Sequence, residues 1–310
     1  MSTSKKITVN AFRIAFDKED PENSEAHKAL KKISRKKKKA VQIGDDTILL
    51  GLYETWKNER INTKIWRGQL RRLRKNDRVA EGNDKGKLLD VSLRPGNFIT
   101  ETSHFLMLPD YKTVLYLGSP QEVGWTVLRK YLSYYTEDDN PSLFMLPILR
   151  TDFAHKFQRA KLPTKIIINV AKPELWDIAK NPSVNTTLQS ARIMSTEYAN
   201  MTFGTGKGVK NRLKAASKEI YLAFVNAIEG HPHLSEHTAK LTMEAYESDE
   251  SGAEKVILDY VDDRLSYVRT VDMKNVPTIA AWQKTAFETL ELAAKNMLKQ
   301  VKDSFIAKTK

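Results

Sequence analysis

The sequence predicts an α+β fold, with mixed or antiparallel sheets, packed helices and one long C-terminal helix. Three observations carry this reading. Apolar and polar residues alternate at period two in many short stretches, of which Ile7–Phe16 is the first. Helical stripes stand between those stretches without the regular strand–helix–strand rhythm of a parallel α/β fold. The last apolar stripe runs from Thr278 to Ile306, which is long for a globular helix.

The elements follow in order. Residues 23–39 read as a polar, basic helix started by Asn23 or Ser24. Asp45–Trp56 is a strand, and Ile61–Leu73 continues it across a turn at Asn58-Glu59-Arg60. On that second strand Ile65, Arg67, Gln69, Arg71 and Leu73 share one face, and Trp66, Leu70, Arg72 and Arg74 the other. Cations on both faces suit an edge or bent strand. Residues 76–97 are turn-rich, with one short strand. Phe98–Leu108 and Thr113–Leu117 form a hairpin across Pro109-Asp110-Tyr111-Lys112. Pro120 opens a helix that continues to Tyr135, with Val123, Val127, Leu128, Tyr131 and Leu132 as its stripe. The cluster Glu137-Asp138-Asp139-Asn140-Pro141 then breaks the chain, separating an N-terminal region, 1–137, from a C-terminal region, 138–310.

The second region opens with strands at Ser142–Leu149 and Thr164–Val170, a short proline-opened helix at Pro173–Lys180 and a strand-like stretch at Ala191–Phe203. A glycine loop precedes the helix Val209–Ile228. Strands follow at Thr238–Tyr246, Lys255–Tyr260 and Leu265–Asp272, the last two joined as a hairpin by Val261-Asp262-Asp263-Arg264. The terminal helix carries Ile279, Trp282, Ala286, Phe287, Leu290, Ala293, Ala294, Met297, Leu298, Val301 and Phe305 on its stripe. A helix of this length often packs against a second copy of itself, so a homodimer is expected.

Composition narrows the chemistry. The 310 residues include no cysteine, which excludes disulfides, thiolate nucleophiles, Cys-type zinc sites and iron–sulfur clusters. No stretch reaches the ~18–20 apolar residues of a membrane helix. The start, MSTSKKITVNAF, lacks the apolar region of a secretory signal, so a cytoplasmic protein is expected. The chain holds 51 Lys+Arg against 38 Asp+Glu, a net of +13. Residues 1–90 hold 23 against 13, a net of +10, and residues 91–310 hold 28 against 25, a net of +3.

Two segments supply the excess. The first is Lys31, Lys32, Arg35, Lys36, Lys37, Lys38 and Lys39; the second runs from Lys57 to Lys75 and includes Lys64, Arg67, Arg71, Arg72, Arg74 and Lys75. Such cations release counterions from a polyanion, and the arginine forks suit phosphate, so nucleic acid is the expected partner. A solvated face, a flexible tail or a nuclear-localisation signal is the alternative for the lysine run alone. The run is not interleaved with aromatics, which favours duplex DNA over a stacked single strand without separating DNA from RNA.

Other motifs admit both a chemical and a structural role. Gly204-Thr205-Gly206-Lys207-Gly208 meets neither dinucleotide nor Walker spacing. With Lys207, Lys210 and Arg212 it makes a secondary phosphate-binding set, or a flexible loop before a solvated helix. His231, His233 and His237 could hold a metal, yet a polar loop explains them as well. His104 is a catalytic dyad member or, more simply, a histidine hydrogen-bonded within a sheet. Glu244, Glu247, Asp249 and Glu250, with Asp259, Asp262 and Asp263, could bind magnesium for phosphodiester hydrolysis, or are turn residues and strand ends. No cofactor and no catalytic residue is assigned. A metal-dependent nuclease, and a subunit whose basic face docks an acidic protein, are the rival functions.

In four places the order of elements resembles the RexA-like phage-exclusion proteins: DDTILLGLYETW before INTKIWRGQLRRLR; ITETSHFLMLPDYKTVLYLGS before the helix ending Lys130-Tyr131-Leu132; LPILR followed after a short loop by the strand Lys165–Val170; and VILDYVDDRLSYVRTVDM before one long helix. The resemblance implies a dimeric α+β protein that binds DNA without marked sequence preference in abortive infection, together with a membrane-embedded partner encoded nearby. It carries over no catalytic residue, and the Lys31–Lys39 run has no counterpart in it.

Overall fold

A computed structural model describes residues 4–16, 40–43, 46–58, 63–74, 80–82, 88–90, 99–117, 124–134, 143–176, 188–189, 192–194, 197–204, 216–230, 234, 238–248, 253–260 and 263–306. The α+β class is as the sequence predicts. The chain divides into two compact units that are not contiguous in sequence. The first comprises residues 1–10, 20–143 and 267–296; the second comprises 11–19, 144–266 and 297–310. The acidic break at 137–141 stands beside the division at Leu143/Phe144, but residues 267–296 belong with the first unit and 11–19 with the second.

The sheet of the first unit is built from β1 (Ser4–Phe16), β2 (Val41–Ile43), β3 (Asp46–Asn58), β4 (Thr63–Arg74), β7 (Ile99–Leu108), β8 (Thr113–Leu117) and β14 (Ser266–Asp272). They lie in the order β14-β1-β8-β7-β4-β3-β2, and β9 (Leu143–Pro147) also pairs with β1. The β3–β4 hairpin closes with Asn58 opposite Thr63, and β7–β8 with Leu108 opposite Thr113. Lys112 takes left-handed backbone there, at φ 48°. Strand β4 pairs with β3 on one side and β7 on the other, so it is interior and not the edge strand that its cations suggest. The 76–97 region contains two paired strands instead of one, β5 (Ala80–Gly82) and β6 (Leu88–Asp90). The helix expected from Pro120 is described from its N-cap Gly124, as α1 (Trp125–Ser133), and it buries Leu128, Tyr131 and Leu132.

The second unit holds an antiparallel sheet in the order β11-β10-β12-β13, formed by β10 (Leu162–Ala171), β11 (Tyr198–Gly204), β12 (Thr238–Tyr246) and β13 (Lys255–Asp259). Period-two burial on β10 turns Ile166, Ile168 and Val170 into the core. There they meet Tyr221, Phe224 and Ile228 of α3 (Ala216–Gly230). A helix that the sequence reading passes over, α2 (Thr151–Arg159), sets Phe153 and Phe157 one turn apart against the same core. Residues 192–193 are helical, so the strand predicted from Ala191 begins only at Tyr198.

Strands β13 and β14 belong to different sheets, so the predicted hairpin between them does not form. The intervening Arg264 bridges Leu149 instead. The terminal helix α4 (Ile279–Ile306) forms as predicted. In the first unit it buries Ala286, Phe287, Leu290, Ala293 and Ala294, and in the second Met297 and Val301, while Ile279 is exposed. The middle of the stripe that suggests a dimer, from Ala286 to Val301, is thus largely covered within the chain, with Leu298 half-buried. Among the described residues, no helix is long and apolar enough to cross a membrane.

Candidate nucleic-acid interface

Of the sixteen predicted phosphate contacts, Lys31, Lys32, Arg35, Lys36, Lys37, Lys38, Lys39, Lys75, Lys207, Lys210 and Arg212 lie outside the described residues, as do His231, His233 and His237. Lys64 and Arg74 are placed by backbone alone, opposite Lys57 and Ile99. The structure brings Arg67, Arg71 and Arg72 together on β4, and alternation sends the first two to one face and the third to the other.

Each of these three guanidinium groups has a protein partner. Arg67 lies 4.8 Å from the centroid of the Phe287 ring and donates to Glu291 at 3.3 Å. Arg71 Nε donates to Gln69 Oε1 at 2.9 Å. Arg72 pairs with Glu101 at 3.1 Å, both side chains being mostly covered. A phosphate reaching β4 therefore competes with Glu291, Gln69 and Glu101 for groups that stabilise the sheet.

His104 completes one of these chains. The bond from Arg71 fixes the Gln69 amide with its oxygen towards the arginine, so its NH2 faces His104 Nε2 at 3.1 Å and donates to it. The imidazole is then neutral, with its proton on Nδ1, which has no hydrogen-bond partner among the described residues. Its ring stands edge-on to Phe287, 5.1 Å between centroids. Burial, and then the charge of Arg71, lower its pKa from 6.5 to about 4. At 1% exposure the ring is buried, a histidine hydrogen-bonded within the sheet.

Beside Arg67 a cleft of about 500 Å³ is lined by Gln283, Lys284, Phe287, Glu288 and Glu291. Two cations face two carboxylates there, so the cleft has no net charge to offer a polyanion. Lys5 and Lys6 are exposed on β1, with Lys5 Nζ 5.4 Å from the Trp282 ring. The sequence reading passes over this pair, because nothing local to Lys5 points to a partner 277 residues away.

Of the carboxylates considered for magnesium, Asp249, Glu250 and Asp262 lie outside the described residues, and the other four have protein partners. Glu244 pairs with Lys255 at 2.7 Å, and Arg159 pairs with both Glu247 and Glu254. Asp259 accepts from Thr242 at 2.9 Å, and Asp263 pairs with Lys156 at 2.5 Å. Among the described residues no group of three or more His, Asp or Glu side chains is placed to hold a metal ion.

No curated protein matches the chain. One family does, over residues 2–297, and the protein therefore belongs to the family of unknown function DUF6731.

Proposed function

We propose that this chain binds duplex DNA, without sequence preference, through the cations of its first third. The observation that carries the reading is the charge asymmetry: +10 over residues 1–90 against +3 over the remainder. Lys31, Lys32, Arg35 and Lys36–Lys39 are the primary contacts. Lys64, Arg74 and Lys75, then Lys207, Lys210 and Arg212, form supporting sets. Arg67, Arg71 and Arg72 join only by leaving their protein partners.

The resemblance in the order of elements supports a role in phage exclusion, with a homodimer and a membrane-protein partner as further parts of the same proposal. A second copy would need a surface other than the buried stretch of the α4 stripe between Ala286 and Leu290 and between Ala293 and Met297, which the chain covers itself.

A gel shift with a 30-base-pair duplex, titrated with salt, tests the binding. Replacing Lys36, Lys37, Lys38 and Lys39 by Glu should weaken binding to all sequences alike and flatten the salt dependence. Unchanged affinity at low salt in that variant refutes the assignment. Nicking of a plasmid in magnesium, abolished by chelator, would favour the nuclease rival instead.

A further inference from the structure

Helix α2 is joined to the rest of the second unit chiefly by charge. None of its nine residues is buried, and its apolar contribution is Phe153 and Phe157, both half-buried against the core. So small an apolar area holds a short helix weakly. The polar anchors are more numerous. Lys156 pairs with Asp263 at 2.5 Å, and Arg159 pairs with Glu254 at 2.7 Å and with Glu247. Lys218 of α3 donates to the Phe157 carbonyl at 2.7 Å and lies 4.2 Å from the ring centroid of the same residue. That carbonyl is one of the orphans of the last helical turn, because Lys161 N turns to the carbonyls of Arg159 and Tyr246 instead. Just outside the helix, backbone bonds fix both flanks: Arg150 N to Asp263 O at 3.0 Å, and Lys161 N to Tyr246 O at 3.2 Å.

One group opposes this closed arrangement. Phe157 stacks on Tyr221, with 6.4 Å between ring centroids, and Tyr221 is fully buried. The Tyr221 hydroxyl has no hydrogen-bond partner among the described residues. A hydroxyl so placed carries a desolvation cost that is recovered when it meets water.

We propose that α2 is a salt-released strap: it lifts between its two fixed flanks when its ion pairs are screened, uncovering Tyr221 and Asp263 while the sheet and α3 stay folded. The pairs of Arg159 are partly exposed and are screened as the Debye length falls from about 10 Å at 0.1 M salt to about 3 Å at 1 M. The elements beneath do not share this sensitivity. Strand β10 and α3 meet through Ile166, Ile168, Val170, Phe224 and Ile228, an apolar contact that screening leaves intact. Opening is thus a local event of one element, set by a balance of charge against an unpaired hydroxyl. It does not depend on the first third of the chain binding DNA.

Amide hydrogen exchange of the full chain, read by peptide at pH 7 in 0.1 M and 1 M KCl, is the test. Peptides from α2 should exchange about 10-fold faster at the higher salt, the combined loss from three partly exposed pairs. Peptides from β10 and α3 should keep their rates and serve as the reference within the same molecule. Arg159→Met should speed exchange in α2 about 3-fold at 0.1 M and reduce its response to salt. Tyr221→Phe removes the opposing hydroxyl and should slow exchange in α2 about 5-fold at both salts. Retained protection of β10 shows that each variant is folded. Exchange of α2 that tracks β10 and α3 at both salts, equal exchange of α2 at 0.1 M and 1 M, or unslowed exchange of α2 in Tyr221→Phe would each overturn the proposal.

Discussion

Acid should weaken the first unit through His104. In the fold its pKa is lowered to about 4, from 6.5, by burial first and by Arg71 second. The unfolded chain takes up the proton near pH 6.5, while the folded chain holds the ring neutral until about pH 4. Between those values the unfolded state binds more protons, so stability falls as pH drops from 6.5 towards 4 and is unaffected above 6.5. The full gap amounts to about 3 kcal/mol, of which about 2 kcal/mol is lost by pH 5. Geometry gives the same sign, because a protonated Nε2 would confront the NH2 of Gln69, and turning that amide would break the bond from Arg71. Urea unfolding at pH 7.5 and 5.0, followed by tryptophan emission, measures the effect. Trp56, Trp66, Trp125 and Trp282 all lie in the first unit, so the signal is weighted towards it. The parent chain should lose about 2 kcal/mol more than His104→Gln between the two pH values, whatever the variant costs at neutral pH. Equal losses in both proteins would refute the neutral, amide-held imidazole.

Four other substitutions probe the packing and the ion pairs. Gly68→Ala should destabilise by about 1–3 kcal/mol, because the added methyl would stand 2.3 Å from a ring carbon of the buried Phe105; an unchanged melting temperature would contradict that contact. Asp263→Asn should cost about 2 kcal/mol by leaving Lys156 without its carboxylate, and Lys156→Met in the same chain should recover part of the loss, as a double-mutant cycle would show. Arg72→Met should cost about 1–2 kcal/mol by removing the ion pair with the mostly covered Glu101, while duplex affinity in the gel shift stays close to that of the parent chain.

Local pattern made the strands and the terminal helix legible. Thr238–Tyr246 is recovered at both ends, and the β7–β8 turn falls on the predicted residues, since alternation and turn chemistry are encoded within a few positions. Pairing is a long-range property, and there the sequence misleads. The acidic turn at 261–264 has hairpin composition, yet β14 joins β1, which ends at Phe16 whereas β14 begins at Ser266. Helix α2 is short and half-exposed, with only Phe153 and Phe157 as an apolar signal, so neither its length nor its stripe separates it from a loop. In the candidate interface, charge could be counted but not its opposition. Glu291 stands 224 residues from Arg67, and no window of sequence reveals the pair.

That distinction between formal and available charge gives the salt dependence a structural reading. Each phosphate neutralised on duplex DNA contributes about −0.9 to the slope of log affinity against log salt. The cations from Lys31 to Lys39 alone therefore set a slope near −6 if all reach phosphates. Adding Arg67, Arg71 and Arg72 would bring it to about −9, but only if Glu291, Gln69 and Glu101 give them up. Releasing Arg72 uncovers a carboxylate that is mostly buried, and releasing Arg71 unlocks the amide that keeps His104 neutral. Both losses are charged against the folded sheet, and a single phosphate contact at the strand centre does not offset them. Whatever the supporting sets add to that −6, the slope should accordingly be unchanged in Arg72→Met. A slope that falls by about one in that variant would mean that β4 exchanges its protein partners for DNA.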